Sequence, residues 1–280
     1  MLDKFYEKPY YLITYFSIWA IGIWLANSFL IPSYQESWWL VIAIIVLLGS
    51  MRFDAMFAAF LVAIFLSPNP YESALLALQF LPLTFVIGVS SACFIHNASH
   101  DQFKPRWLNA IVGESVGLLL RTNYAGWKLV HHFHHRFTDD PVKDPHSPGA
   151  MSFWAYTNTM QKRIVDYLDA RHMEHHQLHK AIYVLTAIIG ALAISGIPLF
   201  WILVFKPTLF AAIWMPMLLS GWWIFYVINY YNHPVNEEGK NEPANLDSKW
   251  WHKLTNLVGF GVLYHKNHHK SARQFNPKNC

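Results

Sequence analysis

His131-His132-Phe133-His134-His135 and His265-Lys266-Asn267-His268-His269 repeat one spacing, His-x-x-His-His, at two distant places in the chain. A third run, His96-Asn97-Ala98-Ser99-His100, carries two more histidines four residues apart. On a helix, positions i, i+3 and i+4 share a face, so each longer run can aim three rings at one point and the shorter run two. Neutral imidazole is the commonest metal ligand, and eight such side chains at helical spacing point to a polyhistidine metal centre. One run alone is a patch that a solvated helix can carry by chance; three in one chain are not. A structural zinc ion takes four ligands and a catalytic one three plus water, so eight donors imply two metals. Imidazole suits iron, copper, zinc and nickel alike, and the ligand type does not choose among them. The chain contains no Glu-x-x-His and no His-Glu-x-x-His, which excludes the carboxylate-bridged di-iron bundle and the common zinc peptidase.

The surroundings of these runs are apolar. The chain has 280 residues, of which 54% are hydrophobic, 17% aromatic and only 14% charged, against roughly 25% charged in soluble domains. Crossing the hydrocarbon layer takes about 20 apolar residues in a helix. Tyr11 to Ile31, Ala74 to Ile95, Ala181 to Phe205 and Leu209 to Tyr231 each qualify, with kinks expected at Pro82 and Pro198. Between the first two, Trp38 to Met51 and Ala55 to Leu66 flank Arg52 and Asp54 and read as a short hydrophobic hairpin over 38–66. A single bent crossing there would strand both charges in lipid.

Charge orients the whole. Of 21 Lys and Arg residues, ten lie between Ile95 and Ala181, seven follow Tyr231 and two precede Tyr11. The positive-inside rule then places both termini and every histidine run in the cytoplasm. No small-residue cleavage site follows Tyr11 to Ile31, so that segment is read as a span rather than a removable leader. The expected fold is all-α: one domain over 1–280, an integral, multi-pass membrane helical bundle of four spans plus the hairpin. A cytoplasmic helical cap, 96–180 and 232–280, holds the dimetal site. Trp107 to Leu120 suits a helix at the membrane surface or one packed on the cap. Trp38, Trp39, Tyr230 and Tyr231 fit an aromatic belt. Cys93 and Cys280, the only cysteines, support neither a disulfide framework nor a thiolate metal site.

The three histidine runs, their order and the pair of spans between the second and third resemble the membrane fatty acid desaturase superfamily, which also holds related hydroxylases and carotenoid ketolases. The likeness runs from about Ala74 to the C-terminus. Arg136-Phe137-Thr138-Asp139-Asp140-Pro141-Val142-Lys143-Asp144-Pro145-His146 is similar to the stretch that follows the second run in delta-9-type desaturases. Asn229 and His233 resemble the Asn-x-x-x-His of acyl-CoA desaturases, which supplies a ninth histidine and an asparagine acting through water. Their i, i+4 spacing independently puts both on one face at the end of the last span; a polar group satisfied within the bundle is the other reading of Asn229. The first run is His-x-x-x-His, as in acyl-lipid desaturases and hydroxylases, one residue shorter than in acyl-CoA desaturases. Asn229-Tyr230-Tyr231-Asn232-His233 also resembles a segment of membrane alkane hydroxylases, so hydroxylation stays open.

The resemblance implies a metal site of two iron ions held by His96, His100, His131, His134, His135, His233, His265, His268 and His269, with Asn229 acting through water. Dioxygen would be the co-substrate and a lipid acyl chain the substrate. An acyl-lipid desaturase is the leading expectation, and a di-iron hydroxylase or ketolase of a fatty acid, alkane or carotenoid the alternative. No catalytic residue is needed beyond the metal ligands. The sequence has no His-Pro-Gly-Gly haem motif, no cysteine-rich cluster segment and no Gly-x-Gly-x-x-Gly, so electrons must come from a separate ferredoxin, rubredoxin or cytochrome b5 type donor with its reductase. No nucleic-acid role is expected. A metal transporter is the competing class, but transport sites lie near the bilayer midplane, whereas these runs fall outside the spans.

Other polar residues stay unassigned. His172, His175, His176 and His179 read as a solvated or interfacial face; His132 points off the shared face, and His146 and His252 are outer or surface groups. A metal-bound imidazole gives its second N–H to a carboxylate, carbonyl or water, so Asp101, Asp139, Asp140, Asp144 and Asp247 are candidates, with plain solvated loop positions as the alternative.

Overall fold

The computed structural model describes residues 38–50, 52–122, 124–175 and 207–280. Their regular elements are helices, with two isolated β-bridges, Val235 to Asn241 and Asn245 to Tyr264. The expected spans Tyr11 to Ile31 and Ala181 to Phe205 lie outside the described residues, as do the side chains of Trp38 and Trp39. The described residues divide into two compact units, one of those up to Leu81 with those from Val165 to Pro216, the other Pro82–Ile164 with Met217–Cys280.

In the first unit the apolar stretch over 38–66 forms two packed helices, α1 (Trp38–Gly49) and α2 (Phe53–Leu66). At 1.5 Å per residue they reach about 18 and 21 Å, short of the roughly 30 Å hydrocarbon layer. The charges between them are paired: Arg52 Nε donates to Asp54 Oδ1 at 3.0 Å. Asp54 also stands in the first turn of α2, where a carboxylate offsets the helix dipole.

Among the described residues two helices are long and apolar enough to cross a membrane, α3 (Pro70–Ser99) and, later in the chain, Pro207–Tyr231. The start of α3 follows from local chemistry. Pro70 takes the first position, where its missing N–H costs nothing, and Asn69 Oδ1 accepts the Glu72 N–H at 3.2 Å. Pro82 lies inside α3, which continues through it.

The second unit carries the cap. Its helices are α4 (Leu108–Leu120), α5 (Tyr124–Arg136) and α6 (Phe153–His175, which runs past the unit's edge). They are followed by α7 (Pro207–Tyr231, with a wider turn over Phe210–Trp214), α8 (Trp250–Val258) and α9 (His265–Lys270). α3 and α7 meet at glycines: a Cβ on Gly88 would fall on the Met217 carbonyl and the Gly221 backbone. Val89, Cys93, Ile95 and Ala98 of α3, Val116 and Leu120 of α4, Tyr124 of α5 and Ile224, Val227 and Ile228 of α7 fill one buried core with Val262 and Leu263. α4 buries Gly113, Val116, Gly117 and Leu120 against this core and exposes Trp107 and Ile111, so it packs on the cap by one face only. Cys93 is buried and Cys280 exposed, both as free thiols.

Candidate metal centre

Four segments of the second unit deliver the histidines. His96 lies in the last turn of α3 and His100 just beyond it; His131, His134 and His135 lie on α5; His233 follows α7; His265, His268 and His269 lie on α9. The end of α3 is held by its neighbours, since the Tyr124 hydroxyl donates to the Ala98 carbonyl at 2.8 Å and His132 Nε2 to the Ser99 carbonyl at 2.9 Å. His132 is thereby accounted for away from the other rings.

The nine histidines gather into two groups, each with one ligand atom per residue within 4.8 Å of the others. One group is His96, His100, His131, His135 and His268; the other is His134, His233, His265 and His269. This corrects the expectation that each His-x-x-His-His run aims all three rings at one point. The run is shared: His131 and His135 go one way and His134 the other, while His265 and His269 go one way and His268 the other. Helix geometry explains it. At about 100° per residue, position i+4 lies about 40° to one side of i and position i+3 about 60° to the other. A run with this spacing fits two adjacent centres better than one.

Within the first group the Nε2 atoms converge. His100 and His131 are 2.8 Å apart, His131 and His135 3.1 Å, His135 and His268 3.0 Å, and His268 and His100 3.1 Å. A neutral imidazole has one N–H, so such a ring of close nitrogens cannot all be satisfied by donating to one another. Nitrogens about 3 Å apart do match the edge of a coordination polyhedron with metal–nitrogen bonds of about 2.1 Å. In the second group His265 and His269 Nε2 lie 3.1 Å apart, and the buried Nε2 atoms of His134 and His233 have no hydrogen-bond partner. The donor set fits two cations.

Burial keeps the rings neutral. It pushes His131, His134, His265 and His268 well below the usual imidazole range, and the neighbouring rings push the same way. His135 and His269 are pushed down to about 2 by the same causes. A neutral ring offers its lone pair to a metal without first losing a proton.

The carboxylate partners are now specific. Asp144 Oδ2 accepts from His134 Nδ1 at 2.8 Å, and Asp139 Oδ2 from His233 Nδ1 at 2.8 Å. Both bonds leave Nε2 as the lone-pair nitrogen, aimed into the second group. Burial raises the Asp144 carboxyl above the ordinary carboxylate range, so we read its bond to the neutral His134 as a hydrogen bond rather than an ion pair. Asp101 instead pairs with Lys128 at 2.7 Å and with Arg106, and Asp140 accepts backbone N–H groups from Val142 and Lys143.

Sequence reasoning passed over three contributors. Thr138 Oγ1 donates to the His134 carbonyl at 2.9 Å and lies 3.2 Å from His269 Nδ1, orienting that ring. Trp127 stacks on His131, with centroids 5.3 Å apart and planes at 11°. His146, left unassigned, is fully buried, with its ring 5.5 Å from those of His134, Trp127 and Phe225. The signal for all three was position near the second run, which does not by itself say where a loop will turn. Asn229, 4% exposed, donates to the Phe225 carbonyl at 2.8 Å. His252 is engaged at the start of α8 by the Lys249 N–H. His172 and His175 fall in the last turn of α6, and His176 and His179 lie outside the described residues.

An all-α chain with long apolar helices and two adjacent buried groups of histidines defines a class, the polyhistidine di-metal oxidoreductases. The family profile described as Fatty acid desaturase matches residues 73–273. The chain belongs to that family, and its histidine clusters are typical of di-iron desaturases. Over 59 residues it is 42% identical to the Delta-9 desaturase-like 2 protein of Arabidopsis thaliana, a match covering 21% of this chain and 19% of that protein. The similarity thus spans less than a fifth of that relative's length. No solved structure matches the chain.

Proposed function

We propose that the protein is an oxygen-dependent di-iron desaturase that introduces a double bond into the acyl chain of a lipid. The observation that carries this reading is the division of nine histidines into two adjacent groups beside an apolar cavity. His96, His100, His131, His135 and His268 would hold one iron, and His134, His233, His265 and His269 the other, with Asn229 acting there through water. Bound iron supplies the activation of dioxygen for attack on an unactivated C–H bond.

The protein's own residues bind and orient. A narrow, half-open pocket is lined by Ala92, Ile95, Leu120, Trp127, Trp222 and Phe225, among others. Its wall is apolar, which suits a methylene chain, and Trp127 bridges it to His131 through the ring stack. Methylenes differ little electronically, so the carbon that reacts is set by where the chain lies against this wall. Asp144, Asp139 and Thr138 hold His134, His233 and His269 in one orientation.

The distribution of Lys and Arg supports a cytoplasmic side for the site of a multi-pass membrane protein. Electrons come from a separate ferredoxin, rubredoxin or cytochrome b5 type carrier and its reductase. The test is expression with such a donor, followed by mass spectrometry of total lipid. Loss of two hydrogens from an acyl chain is expected, and His268→Ala should abolish it. Gain of one oxygen instead would assign the hydroxylase or ketolase chemistry that the His-x-x-x-His spacing of the first run leaves open.

A further inference from the structure

α8 carries apolar residues on two sides: Trp251 and Val258 pack against the core, and a second set faces outward. Its buried residues are polar, namely His252, Thr255 and Asn256, whereas Trp250 is 76% exposed, Leu254 44% and Leu257 77%. The exposed three stand at i, i+4 and i+7, one stripe of a helix. The inward polar groups are satisfied: Asn256 donates to the Leu246 carbonyl at 3.0 Å and accepts the Leu263 N–H at 2.8 Å, and His252 Nδ1 accepts the Lys249 N–H at 3.2 Å. These hydrogen bonds, with Trp251 and Val258 packed on the core, fix the orientation, and it turns Trp250, Leu254 and Leu257 away from the protein.

Two further features say what covers that stripe. Exposed Lys253 sits beside that stripe, and exposed Lys249 precedes the helix with its Nζ 6.0 Å from the Trp251 ring; lysines flanking an apolar stripe suit a helix that buries its apolar side below lipid headgroups while its cations reach the phosphates. The end of α8 is also tied to α3 at a defined depth. Ser90 Oγ donates to the Val258 carbonyl at 3.2 Å, and Gly259 packs on the Cys93 sulfur. Ser90 lies five residues before Ile95, the end of the expected span, or about 7.5 Å along the helix; interfacial helices sink about 5–10 Å. Leu83 and Val86 of the same helix are 50% and 42% exposed, so the apolar surface of α3 continues toward α8.

We propose that α8 lies in the cytoplasmic headgroup layer of the chain's own bilayer, with Trp250, Leu254 and Leu257 in the acyl region and Lys249 and Lys253 against anionic headgroups. This rests on the membrane reading but not on the desaturase chemistry. Its consequence is positional. A tight turn, with positive φ at Phe260 and Gly261, joins α8 to α9, so the lipid surface holds the helix that supplies His265, His268 and His269 to both groups.

The test uses the full chain in bilayers of phosphatidylcholine and phosphatidylglycerol. In a Cys280→Ser background, where Cys93 is 1% exposed, an environment-sensitive fluorophore is placed at Leu257→Cys, at Leu83→Cys and at Glu238→Cys. Leu257→Cys should show blue-shifted emission, several-fold stronger quenching by lipid carrying a shallow spin label than Glu238→Cys, and protection from aqueous iodide. Iodide quenching equal to that at Glu238→Cys would overturn the proposal by placing the stripe in water. Shielding from both quenchers would overturn it by placing a protein there, a second copy of the chain included. Lipid quenching at Leu83→Cys alone defeats only the α8 proposal, whereas its absence at both sites defeats the membrane reading as well.

Discussion

Asp144 and Asp139 are the residues on which the second histidine group turns. Each fixes the tautomer of one ring by accepting from Nδ1, Asp144 for His134 and Asp139 for His233. Such partners typically change metal affinity about 10–100-fold when removed. Asp144→Asn and Asp139→Asn should therefore lose bound metal at chelator concentrations about 10–100-fold lower than the parent protein, read as metal content after dialysis. Asp140→Asn, whose carboxylate serves only the local turn, should match the parent. Equal retention by all three would remove the orienting role. The sequence announced the histidines because their spacing is a helix property and local. It could not choose among five aspartates, because the choice depends on how the loop after Arg136 folds back, through Asp139 with φ +63°.

At the scale of elements, the helical character of 38–66, 74–95 and 209–231 was legible from apolar length alone, and the structure starts two of these helices slightly earlier, at Pro70 and Pro207. The sharing of each His-x-x-His-His run between two groups was not. Both a single centre and a pair satisfy the rule that i, i+3 and i+4 share a face, and only the positions of α3, α5 and α9 decide. α8 was missed for a related reason: its polar residues look solvent-facing until Leu246 and Leu263 supply their buried partners. The contact of α3 on α7 leaves no room for a side chain at Gly88. A methyl at Gly88 overlaps backbone rather than a flexible side chain, so Gly88→Ala should force the helices apart at a cost of about 1–3 kcal/mol. Gly49→Ala, with open space around the added carbon, is the control. The thermal midpoint in detergent should fall for Gly88→Ala and not for Gly49→Ala; an unchanged midpoint for both would mean the contact is looser than described.

Over the whole molecule, the metal centre ties stability to pH. His131, His134, His265 and His268 are buried, and burial lowers each below the ordinary value of 6.5. Between that value and the lowered folded value the unfolded chain binds more protons than the folded one, so stability rises with pH across this window and is lost as pH falls through it. Each such ring adds about 1.4 kcal/mol per pH unit to the slope. Metal-free protein should therefore hold its thermal midpoint above about pH 7 and lose it steeply from about pH 6.5 downward. A metal held by the converged rings favours the folded arrangement, so loading with iron should raise the midpoint at pH 7 and move the acid loss to lower pH. Ring-by-ring replacement gives the decisive comparison. His131→Phe keeps the Trp127 stack but removes a titrating group, and it should flatten the acid limb of the metal-free protein while lowering iron content. A metal-free midpoint that stays level from pH 7 to pH 5 would show that these rings are hydrated and protonate in place, and the burial of His131, His134, His265 and His268 would then be wrong.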